Sequence, residues 1–188
     1  MTKQKRVLDS FHHTFPASEL GDITVVVANN GVRAVLFENQ MEKADSELLG
    51  SHIRSDDHPV IEQAVQQLHE YFAGSRSEFN LPLFIDQGLP VYRKYGDKNV
   101  LKVLRAVNSI PYGQTKTYGG ITKDVVGETP VHLKLTMIGH IISSTQLNVI
   151  IPTHRVLGAG NSLVGYPGGV ARKRLLLSIE EGNLQSGS

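Results

Sequence analysis

The chain contains no cysteine and no tryptophan. Without thiols it forms no disulfide and holds no thiolate-bound metal, and chemistry that needs a sulfur nucleophile lies outside its inventory. An excess of one charge is also missing: 19 basic against 18 acidic residues leave a formal net charge of +1. Attraction to nucleic acid must then come from a local basic face rather than from the whole surface. No stretch of about 18 apolar residues suggests a membrane span, and no apolar segment near the first residues suggests export. An intracellular protein, cytoplasmic or nuclear, is therefore expected. The eight histidines lack HExxH spacing and His12-His13 stands alone, so neither a metal site nor a cofactor is expected.

What is present is an ordinary globular composition: 188 residues, 40% hydrophobic and 20% charged, enough for one large or two small domains. Ile23 to Ala28 and Val32 to Glu38 are β-rich runs around Asn29-Asn30-Gly31, which predicts a hairpin. Apolar residues from Val60 to Phe72 recur at three- and four-residue spacing, predicting a helix that opens near Asp57 and Pro59 and closes at Gly74. A further helix is expected within Met41 to Ile53. Pro82, Gly88, Pro90 and Gly96 interrupt the next stretch, which reads as an irregular connector. The domains are thus placed at 1–85 and 98–188, with residues 86–97 between them, giving an α+β protein.

The second half opens with a predicted helix from Asn99 to Asn108, capped by Asp97. Gly119 to Val126 and Pro130 to Ile142 read as two more helices around a turn containing Gly127, with Thr129 as cap and Pro130 in the first turn. Such a pair is a candidate helix-turn-helix, although any helical hairpin would look alike. Asn148 to Ile151 reads as a buried strand. A last helix is expected from Val170 to Glu181, followed by a polar, mobile tail from Gly182.

Several phrases in this order resemble the O6-alkylguanine-DNA alkyltransferase family. They are Leu68 to Gly74, Ile110-Pro111-Tyr112-Gly113-Gln114-Thr115 with Thr117-Tyr118-Gly119, Pro152-Thr153-His154-Arg155-Val156, Gly165-Tyr166, Gly168-Gly169-Val170, and Lys173 to Glu180. The resemblance implies an RNase H-like N-terminal domain and a winged-helix-like C-terminal domain. The implied partner is double-stranded DNA, entered through the minor groove, with alkylated guanine flipped out of the stack. A monomer is implied, with other repair proteins as further partners. By the same resemblance His154 and Glu180 match the proton relay beside the nucleophile. Tyr118 matches a residue crowding the flipped nucleotide's phosphate, Tyr166 and Gly168 belong to the wall against which the base packs, and Arg155 is a structural arginine.

Three features depart from the family pattern. Thr153 stands where the family has its acceptor cysteine, and an aliphatic alcohol is a poor nucleophile toward an alkyl carbon. Counting back from Thr153, the family's Asn-Pro hinge falls on Thr145-Gln146 and its base-replacing arginine on Thr136. Because the segment between Gly127 and Gly139 is longer than the family's, Lys134 or His132 is the alternative DNA-facing residue. Three classes stay open from sequence: a sensor of alkylated guanine without alkyl transfer, a methyltransferase seen in a Cys-to-Thr altered form, and a degenerate non-catalytic scaffold.

Overall fold

The computed structural model describes residues 9–44, 46–126 and 135–186. The predicted hairpin lies inside a four-stranded sheet. Strand β1 (Ser10–Pro16) pairs antiparallel with β2 (Asp22–Ala28), and β2 with β3 (Gly31–Phe37). Asn29 and Asn30 take φ of +49° and +57° at the β2–β3 turn, the left-handed pair that a two-residue hairpin turn demands and that asparagine tolerates.

The helix expected within Met41 to Ile53 is instead two single turns, α1 (Glu38–Met41) and α2 (Ser46–Leu49), then the short strand β4 (Ser51–His52). Gly50, at φ +63°, ends the second turn, and β4 joins the sheet parallel to β1 in the order β3-β2-β1-β4. The long helix is α3 (Pro59–Phe72), whose cap is the His58 ring accepting from Val60 N at 3.3 Å, rather than Asp57. Ile61, Ala64, Leu68 and Tyr71 form its buried stripe.

The expected irregular connector contains a helix, α4 (Pro90–Tyr95), which starts on a proline and stops at Gly96 with φ +80°. Asp97 then lies in the first turn of α5 (Asp97–Asn108) and Gly96 takes the cap position expected for it. A two-residue strand β5 (Lys116–Thr117) leads into α6 (Tyr118–Val126). Helix α7 (Leu135–Ser143) buries Ile138, Ile141 and Ile142. The predicted turn containing Gly127, the cap Thr129, and the opening of the helix expected from Pro130, with His132 and Lys134, lie outside the described residues.

Asn148 to Ile151 is a turn rather than a strand. Only Leu147 bridges to Val35, while Asn148 spends its side-chain amide on Val35 O at 2.7 Å and Gln40 Oε1 at 2.9 Å. The backbone then bends, leaving Val149 at φ +68°, a costly conformation for a β-branched residue. Strand β6 (Val156–Leu157) pairs with β5. Helix α8 (Val170–Ser186) includes residues 182–186 of the stretch expected to be a polar, mobile tail.

The two halves share one core. Leu20, Phe37 and Tyr71 from the first half are buried in the same cluster as Val103, Ile121, Ile142 and Leu176 from the second. The open edge of β3 is closed on both sides of the molecule, with Val32 N bonded to Pro82 O and Val35 N to Gln146 O, each at 2.8 Å. An exposed edge that would otherwise invite pairing with another chain is thereby covered. Among the described residues, no helix is long and apolar enough to cross a membrane.

Candidate functional site

Pro152 ends the Asn148 turn and starts a one-turn 3-10 helix of Thr153, His154 and Arg155, all three buried. This turn sits against α8, where Lys173, Leu176 and Glu180 fall on one inward face and are each fully buried. A carboxylate in such a place survives only if its lone pairs are used.

Glu180 uses them fully. Its Oε1 accepts from His154 Nε2 at 2.8 Å, from Arg155 Nε at 3.0 Å and from the Tyr71 hydroxyl. Its Oε2 accepts from Gly113 N at 2.8 Å and Arg155 Nε at 3.1 Å. Burial by itself would raise this carboxyl; the hydrogen bonds from His154, Arg155 and Tyr71 outweigh it and hold the group down at about 2. Arg155 is anchored in turn by Nη1 on Ile110 O at 2.7 Å.

With Glu180 ionised, His154 Nε2 must be the protonated ring nitrogen. Burial lowers the His154 pKa despite the carboxylate, so the ring is neutral, and Nδ1 is its acceptor. Among the described residues, neither His154 Nδ1 nor Thr153 Oγ1 has a hydrogen-bond partner within the protein, and the same holds for the buried Tyr166 hydroxyl. The Tyr166 and His154 ring centroids are 6.3 Å apart, edge to face.

Tyr166 also packs on Phe37 at 5.8 Å. Gly168 lies under the same ring: a Cβ there would fall 2.5 Å from Phe37 Cδ2. Tyr118 stands at the start of α6 and donates its hydroxyl to Gly165 O at 3.3 Å. Gly165 takes φ +54°, which glycine adopts without strain. Lys173 holds this loop from beneath, with Nζ donating to Val156 O at 2.6 Å and Val164 O at 2.7 Å. Burial lowers its pKa to about 8.

Of the residues singled out from sequence, the structure thus gathers Thr153, His154, Arg155, Glu180, Tyr166 and Gly168 into one cluster with Tyr118 bound at its Gly165 side. Thr136 lies apart, exposed on α7, and Thr145 is buried beyond that helix, its hydroxyl on Ile141 O. Lys134 is outside the described residues. Sequence reasoning missed the parts played by Tyr71, Gly113, Asn148 and Lys173. Tyr71 belonged to a quoted phrase but reads as core. Lys173 had a visible signal, since it shares a helical face with Leu176 and Glu180 at spacings of three and seven.

Two family models match this chain. The ribonuclease-like domain of 6-O-methylguanine DNA methyltransferase matches residues 11–85, and the DNA-binding domain of the same proteins matches residues 99–182. A constitutive methylated-DNA–protein-cysteine methyltransferase of Bacillus subtilis is 30% identical over 170 residues, covering 90% of this chain and 94% of that protein. The chain belongs to the 6-O-methylguanine DNA methyltransferase family. A methylated-DNA–protein-cysteine methyltransferase of Mycolicibacterium paratuberculosis is 35% identical, but the match spans only 63% of its length. Among solved structures, Mycobacterium tuberculosis OGT in complex with DNA superposes with a TM-score of 0.74 at 27% identity, covering 92% of this chain and 94% of that one. The relatives' names specify a protein cysteine as acceptor, and this family member has no cysteine.

Proposed function

We propose that this chain recognises O6-alkylated guanine in double-stranded DNA and takes up no alkyl group. The observation that carries this reading is Thr153: it stands at the nucleophile position of a Pro-x-His-Arg-Val segment whose His154–Glu180 pair is assembled, in a chain without a thiol. Its hydroxyl is bonded neither to His154 nor to any other described protein group. A neutral imidazole is far too weak a base to ionise an aliphatic alcohol appreciably, and attack on a saturated carbon develops no oxyanion for the site to stabilise.

The same geometry supports binding. Tyr166 and His154 present buried polar atoms without protein partners, and such atoms favour a ligand that satisfies them by about 1–3 kcal/mol each. A flipped purine, with its ring donors and acceptors, is such a ligand. Family membership and the DNA complex of the mycobacterial relative support entry of α7 into the minor groove, with Tyr118 beside the extruded nucleotide. On this reading the bound monomer leaves the lesion chemically intact, and other repair proteins complete its removal.

The test is a titration of duplexes with and without O6-methylguanine at two salt concentrations. Both affinities should fall with salt through phosphate contacts, with the modified duplex bound more tightly at each. Tyr118→Ala should reduce that preference. Equal affinity for the two duplexes would overturn the reading.

A further inference from the structure

Residues 163–168, which carry Tyr166, form neither helix nor strand. Among the described residues their backbone takes part in a single bond to other backbone, from Gly169 N to Tyr166 O at 2.9 Å. Side chains hold the rest of the segment. Val164 O accepts from Lys173 at 2.7 Å, Gly165 O from Tyr118 at 3.3 Å, Pro167 O from Asn39 Nδ2 at 3.0 Å and Gly168 O from Arg172 Nη1 at 3.1 Å. A stretch without a ladder of its own takes its shape from such contacts.

The last two contacts are tied to the first half of the chain. Asn39 belongs to α1, and its Oδ1 accepts from Arg172 Nη1 at 3.2 Å while its amide holds Pro167. Arg172 Nε donates to Leu20 O at 2.6 Å, and the guanidinium lies over the Phe37 ring, 5.2 Å from its centroid. Phe37 is the ring on which Tyr166 packs. The carboxylate of Glu38 is 3.7 Å from Arg172 Nη2 with its side chain 70% exposed, a pair of little strength. Arg172 therefore spends its donors on neutral oxygens of three separate segments, which calls for the fixed fork of a guanidinium. Surface charge alone requires none of these contacts.

We infer that Arg172, acting with Asn39, is a positioning residue for damage recognition: on the reading above that a flipped guanine packs against Tyr166, it holds that wall in place before the base arrives. A wall already ordered loses no freedom when the base docks, so its benefit is tighter binding of damaged duplex. Undamaged duplex sends no base to the wall and gains nothing from it. The first half of the chain thereby takes part in telling one base from another, through Leu20, Phe37 and Asn39.

The experiment titrates the full chain and its variants with duplexes that carry or lack O6-methylguanine. Arg172→Met should lower the preference for damaged duplex by about tenfold as pre-organisation is lost. Its affinity for undamaged duplex should stay within about twofold of an Arg174→Met control, which removes the same charge from an exposed neighbour. Asn39→Ala, an uncharged change at an exposed position, should lower the preference about threefold, and it carries the test if Arg172→Met does not fold. Arg172→Lys keeps the charge without the fork and should recover only part of the preference. Hydrogen exchange at the Gly169 amide should quicken in Arg172→Met while exchange in α5 stays as in wild type, because the loosening is local. An unchanged preference in Arg172→Met and Asn39→Ala would overturn the inference and leave damage recognition standing. So would equal losses of affinity for both duplexes, or full recovery by Arg172→Lys, since folding or charge alone would then suffice. Wild type without a preference would overturn both.

Discussion

His154 Nε2 and Glu180 Oε1 are 2.8 Å apart with both side chains fully buried, and this contact decides the state of the ring. The carboxylate accepts a hydrogen bond from Nε2–H and leaves Nδ1 as the nitrogen able to accept one. On the proposed reading this pair is a proton relay, and it stands beside an alcohol that a neutral imidazole cannot ionise.

Wild-type protein incubated with O6-methylguanine duplex should show an unchanged intact mass. Thr153→Cys should gain one methyl per chain, because the His154–Glu180 pair is already assembled and a thiol needs far less help than an alcohol. Its rate should rise with pH as the thiol ionises. Modification of wild type at the Thr153 peptide, or a silent Cys variant that still binds and flips the base, would contradict this assignment of roles.

Acid should unfold the protein by releasing Glu180. The group is held at about 2 when folded against an ordinary 4.5, so the stability it contributes is complete above pH 4.5 and disappears as pH falls toward 2. Burial likewise depresses His154 from 6.5, so stability begins to decline below that pH. Glu180→Gln should lose roughly 3–5 kcal/mol at pH 7, because Arg155 is left buried with its carboxylate partner gone, and should show a flatter profile below pH 4.5. Urea unfolding at a series of pH values measures both.

Lys173 has the opposite pH window. Its folded pKa is about 8 against 10.5, so the unfolded chain holds the proton more tightly and stability should rise between pH 8 and pH 10.5. The neutral amine still has two hydrogens for Val156 O and Val164 O. Lys173→Met should remove this rise and cost about 2 kcal/mol at pH 7 through two carbonyls left without donors. Unfolding curves that superpose above and below pH 8 would count against the burial of this ammonium.

Much of the fold is legible where local chemistry and tertiary packing agree. Asn29-Asn30-Gly31 names its turn because the backbone there needs positive φ, and α3 shows its stripe from Ile61 to Tyr71. Strand β1 is not legible, because His12, His13 and Thr14 break the apolar alternation; its place is set by pairing with β2, including Thr14 Oγ1 to Thr24 Oγ1 at 2.8 Å. Asn148 to Ile151 is apolar enough for a strand, but the Asn148 amide takes the bonds a ladder would have used. In the site, His154 and Glu180 are readable through resemblance. Tyr71 is hidden, because a tyrosine on an apolar helix face gives no sign of where its hydroxyl ends.

Tyr71→Phe should test that hidden contact. Removing the hydroxyl leaves Glu180 with the His154, Arg155 and Gly113 donors, so the expected loss is about 1–3 kcal/mol rather than collapse, seen as a lower urea midpoint with an unchanged slope. A Phe variant as stable as wild type would mean the hydroxyl contributes nothing.

The contact from Tyr71 to Glu180 also bears on modularity. Tyr71 lies within residues 11–85 and Glu180 within residues 99–182, and Asn148 joins the same two segments through Val35 O. A truncated chain starting at residue 99 would keep His154, Arg155 and Glu180 yet strip one donor, the Tyr71 hydroxyl, from the carboxylate. A chimera that exchanged the first segment for a relative's would keep the site intact only if the incoming helix placed a tyrosine hydroxyl at the same depth. The seam between the two recognisable sequence blocks passes through the polar centre of the molecule, so the blocks are inherited side by side but are not interchangeable parts.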